Sequence, residues 1–257
     1  MTPVALTIAG SDPSGGAGIQ ADLKTFHQFG VYGEAAITLL TVQNTLGVAR
    51  VECVPSALVI EQVRAVIGDI PPQAAKTGAL GSAEIVEALA DLAAEFDFPL
   101  VVDPVMAGSD GAPLVSAAAR LAIATRLLPR AFLVMPNLDE ATALTGIEVK
   151  DVGTMREAAA RLCTMGARAA LVKGGHLEGA ATDVLYASGA WREFTAPRVE
   201  TRHTHGTGCT YSAAVAAGLA HGNPLEDAVA RAKEYITNAI RTAPALGRGR
   251  GPLNHHA

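Results

Sequence analysis

The sequence predicts an α/β fold in which helices cover both faces of a mainly parallel β-sheet. Short runs that are apolar throughout, such as Val4–Ala9 and Ala169–Val172, alternate with longer runs in which apolar residues recur at a helical spacing. Strands without polar alternation are typical of parallel sheets, because both faces of such sheets are buried. The chain has 257 residues, of which 49% are hydrophobic and 18% charged, and no linker-like stretch divides it. We therefore expect a single domain over residues 1–257.

The elements follow one another in the order that this fold requires. Strands are predicted at Val4–Ala9, Ala35–Val42, Gln73–Thr77, Leu100–Val105, Phe132–Met135 and Ala169–Val172. Helices are predicted at Ala17–Phe29, 56–67, 82–96, Ser116–Leu128, Asp139–Leu144, Thr154–Met165, Thr207–Ala220 and Pro224–Thr242. A β-hairpin is expected from Asp183–Ser188 and Trp191–Thr195, joined at Gly189–Ala190.

Composition argues against several classes of function. The net charge of -5 disfavours a nucleic-acid-binding protein, which usually carries a basic surface. No apolar run approaches the roughly 20 residues that cross a bilayer, so we expect no membrane association. The three cysteines lie far apart, and the first residues lack the features of a signal peptide. Together these observations predict a cytoplasmic protein with reduced thiols.

Polar residues that directly follow strands are the candidates for chemistry, because ligands of parallel α/β folds bind beyond the carboxyl ends of the strands. The first candidate is the loop GSDPSGGAG (10–18), which contains Asp12 and is followed one helical turn later by Asp22. The loop lacks the Gly-Lys-Ser/Thr of a P-loop, and the second strand does not end in the acid of a dinucleotide-binding unit. It either lines a ligand or lets the first helix start close to the sheet.

Three further candidates follow later strands. Asp103, in VVDPVM, is placed to serve a metal or phosphate site or simply to stabilise a turn. Asn137 and Glu140 could form a helix capping box, or Glu140 and Asp103 could share a hard cation. Lys173, before two glycines, could reach a phosphate or lie in solvent at a turn.

The segment HTHGTGCTYSA (203–213) has three interpretations. A zinc site formed by its two histidines and Cys209 would lack the second ligand pair that structural zinc sites usually have. Cys209 could instead be a nucleophile, because a thiol at a helix start can have a lowered pKa. We favour a third interpretation, in which residues 206–209 present unpaired backbone N–H groups to an anion at a helix start.

Eight motifs in chain order resemble those of bacterial hydroxymethylpyrimidine/phosphomethylpyrimidine kinases, which belong to the ribokinase-like superfamily. The motifs are AGSDPSGGAGIQADLKTF (9–26), TVQNT (41–45), KTGALGS (76–82), VVDPVM (101–106), PNLDEA (136–141), LVKGGH (171–176), THGTGCTYSAA (204–214) and GPLNH (251–255). The resemblance extends over nearly the whole chain. It implies a ribokinase-like three-layer α/β/α sandwich with a mainly parallel central sheet and a small β-hairpin.

The resemblance also implies an activity. ATP would phosphorylate 4-amino-5-hydroxymethyl-2-methylpyrimidine and then its monophosphate, giving the diphosphate used in thiamine synthesis. ATP would be the co-substrate and Mg²⁺ the metal. The expected partners are the pyrimidine and ATP, with a homodimer as the assembly. Pyridoxal kinases of the same superfamily and a non-catalytic pyrimidine-binding paralogue remain as alternatives; a sugar or nucleoside kinase fits less well, because Cys209 stands where those kinases have aspartate.

Site residues carry over from the family position by position. The resemblance assigns pyrimidine binding to Gly10, Asp22, Gln43, Leu80 and Val105, with Leu80 in place of the usual methionine. It assigns the transferring phosphoryl group to the amides of Gly206, Thr207, Gly208 and Cys209. It assigns Mg²⁺ to Asp103 and Glu140, and the nucleotide to Lys173 and Asn137.

Two points concern the chemistry more closely. Cys209 is the candidate base that takes the proton of the alcohol in the first transfer, whereas the second acceptor is a phosphate that is already largely ionised. The loop AGSDGA (107–112) departs from the family pattern, with Ser109 in place of the usual Lys or Thr and Ala112 in place of the usual aspartate.

Overall fold

The computed structural model describes residues 2–108, 111, 113–175 and 177–257. The strands are β1 (Val4–Ser11), β2 (Tyr32–Asn44), β3 (Gly47–Cys53), β4 (Ala74–Thr77), β5 (Leu100–Val102), β6 (Leu133–Val134), β7 (Ala169–Val172), β8 (Ala181–Ala187) and β9 (Ala190–Ala196). Within the described residues these nine strands form one sheet in the order β3-β2-β1-β4-β5-β6-β7-β8-β9.

The central part of the sheet is parallel. Strands β2, β1, β4, β5, β6 and β7 pair in parallel, whereas β3 and the β8–β9 hairpin pair antiparallel at the two edges. Strand β7 illustrates why the sequence favours this arrangement. Its residues Ala169 and Leu171 pack into the core on one face, and Ala170 and Val172 pack into the core on the other. The predicted mainly parallel sheet is confirmed.

Helices cover both faces of the sheet. They are α1 (Gly18–Gln28), α2 (Ser56–Asp69), α3 (Ala83–Leu92), α4 (Ala117–Ala122), α5 (Leu138–Thr145), α6 (Val152–Thr164), α7 (Thr207–Ala220) and α8 (Leu225–Arg241). One hydrophobic core joins the sheet to α2–α6, and the other joins it to α1, α7 and α8. This is the three-layer sandwich that the sequence predicts. None of the described helices is both long and apolar enough to cross a membrane.

Some local predictions were wrong. Strand β3 was not predicted, because its sequence GVARVEC carries charged residues and mostly exposed positions, as an edge strand can. The turn of the β8–β9 hairpin lies at Ser188–Gly189 and not at Gly189–Ala190, since Ser188 and Gly189 both have positive φ (52° and 81°) and Ala190 already belongs to β9. Paired positive φ values match the twist of a two-residue hairpin turn.

Two predicted elements end early. Strand β5 stops at Val102 and not at residue 105, because Pro104 has no N–H to donate to a neighbouring strand. Helix α4 ends at Ala122, and the chain continues as a π-helical turn, Ile123–Leu127, and a 3₁₀ turn, Leu128–Arg130. Because β5 ends at Val102, Asp103 lies just beyond the strand, at the carboxyl edge of the sheet.

Candidate active site

Asp103 and Lys173, which follow β5 and β7, meet at the carboxyl edge of the sheet. Lys173 Nζ donates a hydrogen bond to Asp103 Oδ1 at 2.8 Å, and Ser212 Oγ of α7 donates to Asp103 Oδ2 at 3.2 Å. Burial lowers the pKa of Lys173, but the carboxyl groups of Asp103 and Glu140 raise it above its ordinary value. The lysine side chain is only 13% exposed and is a charged partner of the buried Asp103, so the interpretation of Lys173 as a solvated turn residue is wrong.

Asn137 and Glu140 form the predicted capping box at the start of α5. Asn137 Oδ1 accepts from the Glu140 N–H, and Glu140 Oε2 accepts from the Asn137 N–H, both at 2.8 Å. The Glu140 carboxyl also interacts electrostatically with Asp103 and Lys173. Burial raises the pKa of Glu140 to about 7, with Asp103 adding to the shift and Lys173 opposing it. The two interpretations of Glu140, cap and member of an acidic site, are thus compatible.

The two carboxylates fit a magnesium ion better than they fit zinc. Among the described residues, no group of three or more His, Cys, Asp or Glu side chains is arranged to hold a metal. This disfavours the zinc interpretation of residues 203–209. Mg²⁺ prefers oxygen ligands and usually takes only one or two protein carboxylates, with water and substrate phosphates completing its shell. Asp103 and Glu140 supply that kind of donor set.

The start of α7 forms a backbone concavity beside these groups. Gly206 precedes the helix with φ 83°, and Gly206, Gly208 and Cys209 have N–H groups without an acceptor among the described residues. A Cβ atom on Gly208 would lie only 3.5 Å from both Asp103 Oδ2 and Lys173 Nζ. The concavity therefore faces the Asp103–Lys173 pair, and the glycine allows an anion to approach both.

One predicted member of this concavity is not available. The Thr207 N–H already donates to the Thr204 carbonyl at 3.2 Å, and the Thr207 hydroxyl donates to the same oxygen at 2.7 Å. The prediction that Thr207 presents an unpaired N–H was therefore wrong. The tight turn from Thr204 to Thr207 satisfies this N–H locally, and the unpaired donors are those of Gly206, Gly208 and Cys209.

Cys209 does not have the lowered pKa that its place at a helix start suggests. Burial raises the pKa of the thiol to about 11, with Asp22 and Asp103 adding to the shift. Lys76 and a hydrogen bond from the Gly18 N–H act in the opposite direction but do not overcome it. The helix dipole is a small contribution compared with the loss of hydration, so the thiol is protonated at neutral pH.

Asp22 and Lys76 form a fully buried ion pair near Cys209. Lys76 Nζ lies 3.0 Å from each carboxylate oxygen of Asp22, and Thr7 Oγ1 donates to Asp22 Oδ2 at 2.6 Å. Both charged side chains are 0% exposed. Burial lowers the pKa of Lys76, but Asp22, Cys209 and Asp103 together raise it above its ordinary value. Asp22 therefore offers no exposed surface to a ligand, and both Asp22 and Lys76 lie close enough to Cys209 to change the pKa of its thiol.

The glycine-rich loop closes against the start of α7. The Asp12 carboxylate accepts from the N–H groups of Ser14 (2.8 Å), Gly16 (3.2 Å) and Ala17 (2.9 Å), so it holds the loop in shape. His205 Nε2 lies 2.8 Å from Asp12 Oδ2. A Cβ atom on Gly206 would lie 1.8 Å from the Gly16 carbonyl oxygen, so only glycine permits this contact.

The residues predicted to bind the pyrimidine surround this region with different degrees of exposure. Gln43, near the end of β2, is half-buried, and its amide lies 3.3 Å from His205 Nε2. Val105 is half-buried, and its N–H donates to the Asp103 carbonyl at 2.8 Å. Leu80 is 2% exposed and packs in the core against α2–α6. A Cβ atom on Gly10 would lie 2.5 Å from Leu39 Cδ1, which explains the glycine there.

Two residues of the site were not predicted from the sequence. Lys76 stands in the apolar strand sequence AAKT, and a lysine in a strand with both faces buried is a signal for a buried ion pair. His205 offers no comparable signal, because its partners Asp12 and Gln43 are 193 and 162 residues away. The residues Ser109 and Ala112 of the unusual loop, like His176 of the LVKGGH motif, lie outside the described residues.

Comparison with known proteins identifies the family. The family model for phosphomethylpyrimidine kinase matches residues 12–254, which include the residues that converge on this edge of the sheet. The chain belongs to the phosphomethylpyrimidine kinase family. The resemblance drawn from the eight motifs is thereby confirmed, and with it the ribokinase-like fold.

Individual relatives agree with this membership. A hydroxymethylpyrimidine/phosphomethylpyrimidine kinase of Streptomyces coelicolor is 49% identical over 98% of this chain and 94% of its own length. A thiamine biosynthesis bifunctional protein of Geobacter sulfurreducens is 51% identical over 97% of this chain, but this chain spans only 51% of it. The solved pyridoxal kinase of Staphylococcus aureus, in complex with AMP-PCP and pyridoxal, superposes with a TM-score of 0.92 at 33% identity, covering 100% of this chain and 94% of that one.

Proposed function

We propose that this chain transfers the γ-phosphoryl group of ATP to the hydroxymethyl group of 4-amino-5-hydroxymethyl-2-methylpyrimidine, and then to the resulting monophosphate. The product would be the diphosphate that enters thiamine synthesis. The observation that carries the proposal is the concavity of free N–H groups at residues 206, 208 and 209, which faces the buried Asp103–Lys173 pair. The names of the family and of its relative from Streptomyces coelicolor support the choice of substrate.

Phosphoryl transfer depends mainly on in-line positioning and on stabilising the charge of the equatorial oxygens. The N–H groups of Gly206, Gly208 and Cys209 are suited to hold the oxygens of the transferring group at the helix start. Lys173, held by Asp103 at 2.8 Å, is suited to neutralise a phosphate of the nucleotide. Asn137 adjoins Lys173 through a backbone bridge and would contact the nucleotide from the neighbouring strand.

Asp103 and Glu140 are the residues that would hold Mg²⁺. When bound, the ion would neutralise phosphate charge and supply the positive charge that two adjacent carboxylates lack. Glu140, with its pKa raised to about 7, would then be ionised by the ion's presence. Lys173 is the cation paired directly with Asp103, and a further cation would offset the remaining negative charge of the two carboxylates.

Cys209 remains our candidate base for the first transfer, and its raised pKa means that only the thiolate can play this role. The thiol starts protonated, so it must first release its own proton to water, and the resulting thiolate then takes the proton of the alcohol and becomes the thiol again. Lys76 is the nearby cation that favours the thiolate. Asp22 would thus act on the pyrimidine site indirectly, by holding Lys76 in place, and not by contacting the pyrimidine.

The deciding experiment is an ATP-consumption assay with three acceptors side by side: the aminopyrimidine alcohol, its monophosphate and pyridoxal. We expect turnover with the first two. A pyridoxal kinase is the second candidate, since the Staphylococcus aureus structure that superposes over the whole chain is one. Turnover of pyridoxal alone would establish that candidate, and binding of the pyrimidine without ATP consumption would indicate a non-catalytic paralogue.

We also propose that the protein is a cytoplasmic homodimer that binds no nucleic acid. The three cysteines are free thiols, which suits a reducing compartment. Three apolar side chains of the β2–β3 edge, Leu40, Val42 and Leu46, are exposed, and this edge is the contact area that we propose for a second copy. Light scattering of the purified protein tests the assembly, and a monomer at micromolar concentration would contradict it.

A further inference from the structure

His205 connects two parts of the site, the glycine-rich loop and Gln43. Its Nε2 lies 2.8 Å from Asp12 Oδ2 and 3.3 Å from Nε2 of the Gln43 amide. The side chains of His205 and Asp12 are only 3% and 4% exposed. At this burial water cannot replace either partner. Whether Nε2 of His205 carries a hydrogen therefore decides whether the neighbouring atom must be a hydrogen-bond acceptor or a donor.

The position of that hydrogen follows from Asp12. Burial raises the pKa of Asp12, but hydrogen bonds from His205 and Ser14 lower it below its ordinary value. Asp12 is therefore ionised and can only accept, so His205 Nε2 must carry the hydrogen that lies between them. A nitrogen that donates cannot accept a second hydrogen from an amide NH₂. The atom of Gln43 that stands 3.3 Å away must then be the amide oxygen, which a half-turn of the amide exchanges with the nitrogen, and the single hydrogen on Nε2 is shared between Asp12 Oδ2 and this oxygen.

We propose that His205 is a positioning residue that turns the Gln43 amide oxygen toward itself and leaves the amide NH₂ for the substrate. The inference rests on the proposed function, in which Gln43 contacts the pyrimidine. An NH₂ group recognises a lone pair, so the position opposite Gln43 accepts a ring nitrogen and disfavours a ring atom that carries hydrogen.

The same residue directly precedes the anion-binding concavity in the chain. The His205 N–H donates to the Gly251 carbonyl at 3.1 Å, and the next residue, Gly206, closes over the Gly16 carbonyl. The side chain of His205 thus orients Gln43, while its backbone leads directly into the N–H groups that would hold the phosphoryl group. A change to the imidazole alone should therefore affect the pyrimidine more than the nucleotide, because it contacts Gln43 directly and the anion-binding concavity only through Asp12.

The substitution Gln43→Glu tests the orientation directly, because a carboxylate keeps the acceptor toward His205 and loses the NH₂. We expect the KM for the pyrimidine alcohol to rise about tenfold or more, with the KM for ATP unchanged, since two acceptors would then face each other. Asn44→Asp is the matched control: it adds the same charge at the next residue, and its exposed side chain keeps an acceptor for the Leu46 N–H. An unchanged or lower KM in Gln43→Glu, or an equal rise in both variants, overturns the proposal.

A second variant removes the donor and keeps the ring. His205→Phe should raise the KM for the pyrimidine alcohol by several-fold and the KM for ATP less, because the imidazole contacts Gln43 directly and reaches the start of α7 only through Asp12 and the glycine-rich loop. Equal rises in both KM values would indicate general damage and overturn the positioning role. The thermal unfolding midpoint establishes that each variant is folded before its kinetics are interpreted.

A readout without substrate separates this inference from the proposed function. Nitrogen NMR of the wild-type protein labelled at histidine distinguishes a protonated Nε2 from an unprotonated one, with His205→Phe identifying the signal. A protonated Nε2 supports the proposal, and an unprotonated one overturns it. Failure of the wild type to phosphorylate the pyrimidine would instead refute the proposed function, whatever the NMR result.

Discussion

Replacing Lys76 by methionine should destabilise the folded protein strongly. Lys76 and Asp22 are both 0% exposed, and the ammonium lies 3.0 Å from each carboxylate oxygen. Methionine retains the length and the apolar stem of lysine but leaves Asp22 with Thr7 as its remaining hydrogen-bond donor among the side chains described. Breaking a buried ion pair from one side typically costs about 3–5 kcal/mol, because the remaining charge is neither hydrated nor paired.

The magnitude can be measured by urea unfolding at pH 7 without nucleotide. We expect Lys76→Met to lower the free energy of unfolding by about 3–5 kcal/mol. Asp22→Asn combined with Lys76→Met should recover a large part of that loss, because the double variant buries no charge. The exposed pair Arg50–Glu52 is the matched control: its side chains are 70% and 64% exposed, so Arg50→Met should change stability by less than about 1 kcal/mol.

The pH dependence gives a further check on the same variant. Without Lys76, the carboxyl of Asp22 can avoid burying a charge only by taking up a proton, which raises its pKa in the folded state. Burial already raises the folded-state pKa of Asp22 when Lys76 is present, and loss of Lys76 raises it further, so the stability deficit of Lys76→Met should grow as pH rises above the folded-state pKa of Asp22 in the wild type. A deficit below about 1 kcal/mol, or a double variant as unstable as Lys76→Met, would refute the claim that these two charges depend on each other.

Three further predictions follow from the same edge of the sheet. Cys209→Ala should reduce kcat/KM for the first transfer more than for the second, because only the alcohol must lose a proton from carbon-bound oxygen; equal losses would refute this division. Lys173→Ala should raise the KM for ATP about tenfold or more, because Asp103 loses its partner at 2.8 Å, whereas the control Lys150→Ala, at an exposed side chain paired only with Glu148 at 3.7 Å in the described residues, should leave the KM for ATP unchanged. The folded-state pKa of Glu140 is raised to about 7, so without Mg²⁺ the wild type should lose stability as pH rises from about 4.5 to 7. Glu140→Gln has no titrating group at this position and should not show that loss. Parallel curves of unfolding free energy against pH for the two proteins would contradict the prediction.

The fold was predictable because its signals are local. A strand such as Ala169–Val172 is apolar at every position, and that composition suits only a strand buried on both faces. The edge strand β3 escaped prediction because its exposed positions carry charges that an edge tolerates. The limits of β5 and α4 depended on Pro104 and on π-helical geometry, which periodicity does not register.

The candidate site was only partly predictable. Asp103, Glu140 and Lys173 follow strands, so sequence position alone brought them to the correct edge of the sheet. The state of each group was another matter. The helix start at Cys209 suggested a lowered pKa, but burial raises it to about 11, and burial is a property of everything that packs around the thiol.

By itself, the sequence determined the order of the strands and helices along the chain, the burial of the sheet on both faces and the motifs that mark the family. Only the tertiary structure decided which donors are already occupied and which charges are paired. Lys76 meets Asp22 across 54 residues of sequence, and His205 meets Asp12 across 193. Such partners leave no periodic signal, because hydrogen bonding and desolvation depend on distance in space, whereas the pattern of apolar residues records only position along the chain.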